Sequence, residues 1–467
     1  MADDLTYDVI VLGGGSTGTN VAWYARDNGL SVAVVESERV GGECSYWACI
    51  PSKALLGPPE AVAAARRIPG AAAAVTGDLD VPAVFERRDE WTSGLDDAAQ
   101  VSWVESIGVE LFRGRGRLVG ERRVEVERDG GESQVLTASR GVVVATGSRA
   151  NVPPIDGLDT TRVWTNREVT QADRVPERFL VLGGGAVGVE MAQAYHRLGS
   201  EVTIIEMADR LLGSYEPEAG RTLQDAFEAE GITVLTDTAA ASVARHDGDE
   251  GPVTVTTKNG DELVGDELLI AIGRRANTDD LGLDTVGLEP GGPLEVDDRL
   301  AVRGVAGDWL YAAGDVNGRA MLTHQGEYQA RIVGDVVAGK TVEAWADHAA
   351  VPQVVFTDPQ VASVGQTEQQ AIEAGVEVRR VTSDPTGVAG GALHGHDHGF
   401  ASLVIDQRRR VVVGATFVGP RVGELLHAAT IAIVGEVPIE TLWHATPSFP
   451  TVSEVWLRLL EADRGIT

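Results

Sequence analysis

Cysteine is the scarcest residue in this 467-residue chain, which contains only Cys44 and Cys49. Two thiols exclude a secreted scaffold held by several disulfides. Lysine is almost as rare, occurring at Lys53, Lys258 and Lys340 among 39 basic residues in all. Against these stand 70 acidic residues, for a formal net charge of −31. That balance argues against a nucleic-acid backbone or an anionic membrane as the main partner. A GC-rich genome or adaptation to high salt would each produce it, and composition does not separate them. No segment approaches the ~18 uninterrupted apolar residues of a membrane span. The opening Met-Ala-Asp-Asp also lacks the basic stretch of a signal peptide. A soluble, cytoplasmic protein is expected. The length is about three domains' worth at roughly 150 residues each, enough for sizeable cores.

What the chain does have is an internal repeat. A strand at Val9–Leu12 runs into Gly13, Gly15 and Gly18, then a helix-length stretch to Asn28, and a second strand at Val32–Val35 ends in Glu36. A strand at Phe179–Leu182 runs likewise into Gly183, Gly185 and Gly188, and a strand at Val202–Ile205 ends in Glu206. Every landmark is displaced by 170 residues, and each acidic residue stands 23 positions after its first glycine. A lone Gly-x-Gly-x-x-Gly is weak, but strand, turn, helix and distal carboxylate together are specific. The first glycine permits the tight turn, the second lets the backbone approach a pyrophosphate, and the third allows close helix-to-strand packing. The helix amino terminus then meets negative charge with its N–H groups. The acidic residue accepts the hydroxyls of an adenosine ribose. Two dinucleotides are therefore predicted.

Two further apolar strands end in similar turns, Val142–Val144 before Gly147 and Leu268–Ile270 before Gly273, and each would close one nucleotide-binding domain. Leu310–Ala312 runs into Gly314 and Asp315, placing a carboxylate where ligands collect in open parallel sheets. Residues 57–110 read as helices with a loop, and 112–146 as antiparallel strands with one wet face. After about residue 346, strands at Gln353–Phe356 and Ser402–Ile405, a strand pair Val411–Val413 and Ala415–Val418, and a helix over Gly423–Val434 suggest a separate domain.

Cys44 and Cys49 lie soon after the first repeat, in Gly41-Gly42-Glu43-Cys44-Ser45-Tyr46-Trp47-Ala48-Cys49-Ile50-Pro51-Ser52-Lys53. Thiols this close can reach disulfide geometry across one helical turn. Elsewhere a pair of buried small hydrophobes would be the ordinary explanation. Beside two dinucleotide motifs, a redox role gains weight, because the nucleotides give electrons a source and the thiols give them a destination.

With these motifs the chain resembles the flavoprotein disulfide reductases over nearly its whole length. The resemblance rests on the first glycine motif with Glu36, Cys44-x4-Cys49 ending in Lys53, Gly188-Val189-Glu190, Gly314-Asp315, and Pro352-x-Val354-x-Phe356-Thr357-Asp358-Pro359 with Val364-Gly365. It implies that the first repeat and Asp315 hold FAD, with Glu36 on the adenosine ribose and Asp315 at the ribityl-pyrophosphate region. It implies that the second repeat holds the nicotinamide cofactor. By the same analogy Cys49 faces the flavin, Cys44 meets the substrate, and Lys53 pairs with Glu190 near the flavin N5. A lysine charge there favours the reduced anion. Glu206 would repel the 2′-phosphate of NADPH, so NADH is expected, while nearby Arg210 leaves NADPH open.

The carboxyl-terminal part departs from the family. Where relatives carry a His-Pro-Thr segment whose histidine serves the thiols across a two-fold dimer, this chain has Phe449-Pro450-Thr451-Val452-Ser453-Glu454. Glu454 keeps its place without the histidine it would orient, and His444 stands five residues upstream of Phe449. Tyr46, Trp47 and Ala48 between the cysteines leave two alternatives, stacking on a planar substrate or packing against the fold. No third cysteine exists, which disfavours mercury reduction. His394, His396 and His398 read as a solvated loop, and no metal site is expected.

The expected fold is α/β, with two Rossmann-like nucleotide-binding domains and an α+β carboxyl-terminal dimerisation domain. The divisions are 1–152 for FAD, 153–275 for NAD(P), 276–346 completing the FAD domain, and 347–467 for the interface. The expected function is an FAD-dependent NAD(P)H oxidoreductase, a homodimer, passing electrons to the Cys44–Cys49 disulfide and on to a disulfide substrate. The alternative is an NADH:quinone or diaphorase-type reductase in which the disulfide is auxiliary.

Overall fold

The computed structural model describes residues 5–466 apart from 129, 247, 249 and 250, so the opening Met1-Ala2-Asp3-Asp4 lies outside the described residues. Two compact units are present. The first is formed by the chain up to Pro51, Asp89–Ala150 and Arg274–Asp347, and the second by Ser52–Arg88, Asn151–Gly273 and the chain from His348 onward.

The first unit is built on a seven-stranded sheet. Glu110–Arg113, Val32–Glu36, Leu5–Leu12 and Ser133–Val144 lie side by side and parallel. Arg123–Glu127 and Arg115–Leu118 extend the sheet antiparallel, and Leu310–Ala312 joins Ser133–Val144 in parallel. The expectation of antiparallel strands over 112–146 therefore holds for the hairpin but not for Phe112–Arg113, which pair in parallel with Val35 and Glu36, nor for Val142–Val144, which pair in parallel with Leu12 and its neighbours. The physical reason is burial on both faces: Val142, Val143 and Val144 are fully buried, as an interior parallel strand requires. The helices Ser16–Asp27 and Thr323–Val337 pack so closely that a Cβ on Gly326 would lie 2.1 Å from Thr17 Oγ1.

Among the described residues, the second unit contains three sheets. Thr233–Leu235, Glu201–Ile205, Arg178–Leu182 and Glu267–Ile270 form a four-stranded parallel sheet. Ala240–Arg245, Val253–Thr257 and Glu262–Gly265 form an antiparallel meander. A five-stranded antiparallel sheet runs Gln353–Val355, Gln360–Gly365, Val411–Gly419, Phe400–Asp406 and Val378–Ser383, with the helix Val422–Val434 packed on it. The two strands expected over 411–418 are one continuous strand. Gly414 is not a turn: it pairs with Gly365, and a Cβ there would fall 1.7 Å from the Gln366 carbonyl oxygen. Glycine permits that close backbone approach.

Candidate functional site

The two glycine loops have the same geometry. At the first glycine of each, a positive φ turns the chain against a neighbouring strand end: a Cβ on Gly13 would lie 2.4 Å from the Ala145 oxygen, and one on Gly183 2.5 Å from the Ala271 oxygen. At the third, a Cβ would lie 1.9 Å from the Gly13 oxygen for Gly18 and 2.0 Å from the Gly183 oxygen for Gly188. Gly15 and Gly185 sit at the N-caps of Ser16–Asp27 and Ala186–Leu198, and neither helix start receives a side-chain cap. Each helix thus presents its first N–H groups to the loop, the arrangement that receives a pyrophosphate.

The acidic residues repeat the match. Glu36 Oε2 accepts the Gly14 N–H at 2.6 Å and Oε1 the Glu38 N–H at 2.6 Å. Glu206 Oε2 accepts the Gly184 N–H at 2.5 Å and Oε1 the Ala208 N–H at 2.7 Å. Each carboxylate is thereby fixed beside its glycine loop, with lone pairs left for ribose hydroxyls. Burial pushes the Glu36 carboxyl up from its ordinary value, and the Glu38 and Gly14 N–H groups oppose it. Arg210 donates to Asp209 Oδ1 at 2.7 Å and to the Gly213 oxygen at 2.9 Å, so its guanidinium is already engaged.

Within the first unit, Asp315 stands beyond the strand Leu310–Ala312, held by Ser148 Oγ at 2.5 Å. Arg274 donates from Nε to Ser148 Oγ and from Nη2 to the Ser148 carbonyl, both at 2.7 Å, and its Nη2 lies 3.4 Å from Glu43 Oε2. Burial raises the Asp315 carboxyl, with Ser148 and Arg274 pulling it back. Gly147 and Gly314, in the same unit, both take positive φ. Sequence reasoning missed Arg274 and Ser148. The one available signal was position, since Arg274 follows Gly273 and Ser148 follows Gly147 directly.

Cys44 lies in the short helix Gly42–Tyr46, and Cys49 opens the helix Cys49–Arg67. Both are thiols and hydrogen-bond each other. That bond first, and burial second, push the Cys44 thiol well above its ordinary range. Tyr46 and Trp47 are 1% and 7% exposed, and the Tyr46 hydroxyl donates to the Val40 oxygen at 3.2 Å. Of the two alternatives for these aromatics, the structure takes packing against the fold.

One turn after Cys49 on the same helix, Lys53 pairs with Glu190 at 2.6 Å within the second unit. Glu190 is buried, and its Oε1 accepts the Phe356 N–H at 2.9 Å. Lys53 Nζ also lies 4.7 Å from the Phe356 ring centroid, a cation–π contact. The lysine charge is thus held by a carboxylate and an aromatic face together.

At the carboxyl-terminal end, Phe449 is 77% exposed and His444 is exposed. Glu454, first residue of the helix Glu454–Asp463, is buried and accepts the Gly390 N–H at 3.2 Å, which fixes the segment around Gly390. The expected solvated histidine loop is corrected at His396. Its side chain is 9% exposed, and Nε2 lies 3.4 Å from Asp358 Oδ1. Burial lowers His396 to about 4, with Arg67 adding to the effect and Asp358 opposing it. Asp358 itself is bound by Arg67 at 2.6 Å and Arg197 at 2.9 Å, a cluster with no local sequence signature.

A family profile described as pyridine nucleotide-disulphide oxidoreductase matches residues 7–330, and the dimerisation domain of that family matches 351–459. The chain is 31% identical over 458 residues to a dihydrolipoyl dehydrogenase of Chlamydia muridarum, covering 96% of this chain and 95% of that one. It is 35% identical over 451 residues to a mercuric reductase of Streptomyces lividans, covering 94% and 93%. The crystal structure of LpdA from Mycobacterium tuberculosis superposes with a TM-score of 0.86 at 26% identity, covering 98% and 99%.

Proposed function

Because the chain belongs to the pyridine nucleotide-disulphide oxidoreductases, FAD-dependent enzymes that use NAD(P)H, we propose that it moves two electrons from NADH to the Cys44–Cys49 pair and on to a disulfide substrate. In balance, NADH gives up a hydride, the cysteine disulfide takes its two electrons and proton with one further proton from solvent to become two thiols, and thiol–disulfide exchange hands the electrons on. FAD, when bound, supplies the two-electron relay between nicotinamide and thiols.

The chain's own residues have distinct roles in this proposal. Gly13, Gly15, Gly18 and Glu36 seat the adenosine and pyrophosphate of FAD, and Asp315, held by Ser148, meets its ribityl region beside Gly147 and Gly314. Gly183, Gly185, Gly188 and Glu206 seat NADH, with Gly273 closing that domain. The carboxylate of Glu206 and the engaged Arg210 support NADH over NADPH. Cys49 is the flavin-side thiol and Cys44 the exchange thiol. Glu190 and Phe356 keep the Lys53 ammonium in place, and Glu454 pins the Gly390 segment. The match of 351–459 to the dimerisation domain supports a homodimer. Among the described residues no helix is long and apolar enough to cross a membrane. A cytoplasmic location is part of the same proposal.

The observation that carries this reading is the hydrogen-bonded thiol pair in the unit that holds the first glycine loop. Phe449 favours a second reading, since an exposed phenyl ring supplies no proton to a leaving thiolate. Electrons would then go to a quinone-like acceptor, with the thiols auxiliary. Anaerobic titration with one equivalent of NADH tests the first reading by the long-wavelength thiolate-to-flavin absorbance it should produce. Cys44→Ser should abolish disulfide reduction and spare quinone reduction. Full disulfide turnover by that variant would sink the dithiol route.

A further inference from the structure

Thr323 is the first residue of the fifteen-residue helix Thr323–Val337, and its hydroxyl lies 3.3 Å from Cys49 Sγ. The same hydroxyl acts on Cys44 too, favouring its thiolate against Cys49 and burial, which both oppose it. All three residues belong to the first unit. One turn further along the helix, Glu327 takes a hydrogen bond from Ser16 Oγ at 2.9 Å and acts on Cys44 in the opposite direction, as a like charge disfavouring the thiolate.

We propose that Thr323 is the positioning residue that holds the thiolate of the reduced pair, donating its hydroxyl to whichever of Cys49 and Cys44 carries the charge. A hydroxyl has one proton to donate and rotates about a single bond, so it can follow the charge from one sulfur to the other. With both cysteines protonated, Thr323 accepts from a weak S–H donor and gains little. Once one proton has left for solvent, the anion receives two donors, the hydroxyl and the remaining thiol, and hydrogen bonds to an ionised acceptor are the stronger kind. The amino terminus of the Thr323–Val337 helix adds positive potential on the same side. Glu327 sets the limit of this effect from the next turn.

The inference rests on reading Cys44 and Cys49 as the redox pair. Alkylation detects thiolates without any electron acceptor, so the two can fail separately. In the reduced, FAD-loaded enzyme, the rate of iodoacetamide alkylation is followed against pH, with the modified cysteine assigned by mass spectrometry. Thr323→Val keeps the branched shape and removes the hydroxyl; its thiolate midpoint is expected to rise by about one pH unit, a tenfold loss of thiolate below the midpoint. Thr323→Ser should restore the parent midpoint, and Glu327→Gln should lower it. An unmoved midpoint in Thr323→Val, or an equal shift in Thr323→Ser, overturns the proposal, the second because it would mark a packing role. Should the valine variant not fold, Thr323→Ala is judged by the same criteria.

Discussion

Glu206→Ala perturbs nucleotide choice at one carboxylate whose geometry is fully specified. Two backbone donors hold that carboxylate, Gly184 N–H at 2.5 Å and Ala208 N–H at 2.7 Å, so it does not swing away to accommodate a second anion. A hydrogen bond to a charged group is worth about 1.5–3 kcal/mol, so its loss should lower kcat/KM for NADH by about ten- to a hundredfold. A 2′-phosphate brought to about 4 Å from the carboxylate would meet roughly 4 kcal/mol of repulsion at an effective dielectric near 20, about three decades of discrimination. Removing the carboxylate should therefore raise activity with NADPH while lowering it with NADH. Arg210 does not offset this, because its guanidinium already binds Asp209 and the Gly213 oxygen. The assay is steady-state kcat/KM with each nucleotide at a saturating acceptor. Parent enzyme that uses NADPH as well as NADH, or an unchanged ratio in Glu206→Ala, refutes the reasoning.

The two glycine loops should separate by cofactor. A Cβ on Gly18 or Gly188 must move more than an ångström from a backbone oxygen, and such overpacking costs about 1–3 kcal/mol. Gly18→Ala should purify with little flavin, whereas Gly188→Ala should keep its flavin and show at least a tenfold higher KM for NADH, both read from flavin absorbance and initial rates. His396 predicts a stability change with pH. Its folded value of about 4 lies below the ordinary 6.5, so the unfolded chain binds the extra proton between those values. Stability from the neutral imidazole is present above pH 6.5 and lost as pH falls toward 4, by an amount on the order of 3 kcal/mol. Denaturant melts of parent and His396→Gln should diverge less at pH 5 than at pH 7, and parallel curves would count against it. Phe449→His should raise disulfide turnover by about a hundredfold or more and leave quinone turnover level, since a positioned acid or base contributes roughly 10²–10⁴-fold. No gain with any disulfide would remove proton supply as the limiting factor.

The repeat was legible because its physics is local. A turn that only glycine can make, a helix start without a side-chain cap and a carboxylate at the next strand end all fall within 24 residues, and the folded loops agree to 0.1 Å in their closest approaches. The Lys53–Glu190 pair was legible through the family resemblance alone, since nothing in either segment names the other. What stayed hidden depends on distant chain. Val142–Val144 joins a parallel sheet because Leu310–Ala312 covers its other edge, and Gly414 lies inside a strand because Gln366 crowds it. His396 belongs to no loop pattern, because its environment comes from Asp358, Arg67 and Arg197. Tyr46 and Trp47 were undecided by sequence, since an aromatic between two cysteines reads the same packed or exposed.

The same division bears on where protons come from. In the proposed route electron entry rests on two copies of one loop, and both copies keep the turn, the uncapped helix start and the carboxylate. On the thiol side the position expected to hold a base carries Phe449, while Glu454 is committed to the Gly390 N–H. In that reading, control of the thiol charge falls to groups around the sulfurs. Within the first unit those include the Thr323 hydroxyl, which favours the thiolate, and Glu327, which opposes it from one turn away. A pair regulated in this way releases a substrate thiolate well only if that thiolate is already acidic, because the leaving group's own acidity then sets the rate. Acceptors should accordingly rank by the acidity of the thiol they release, steeply in the parent enzyme and less steeply once a histidine stands at position 449.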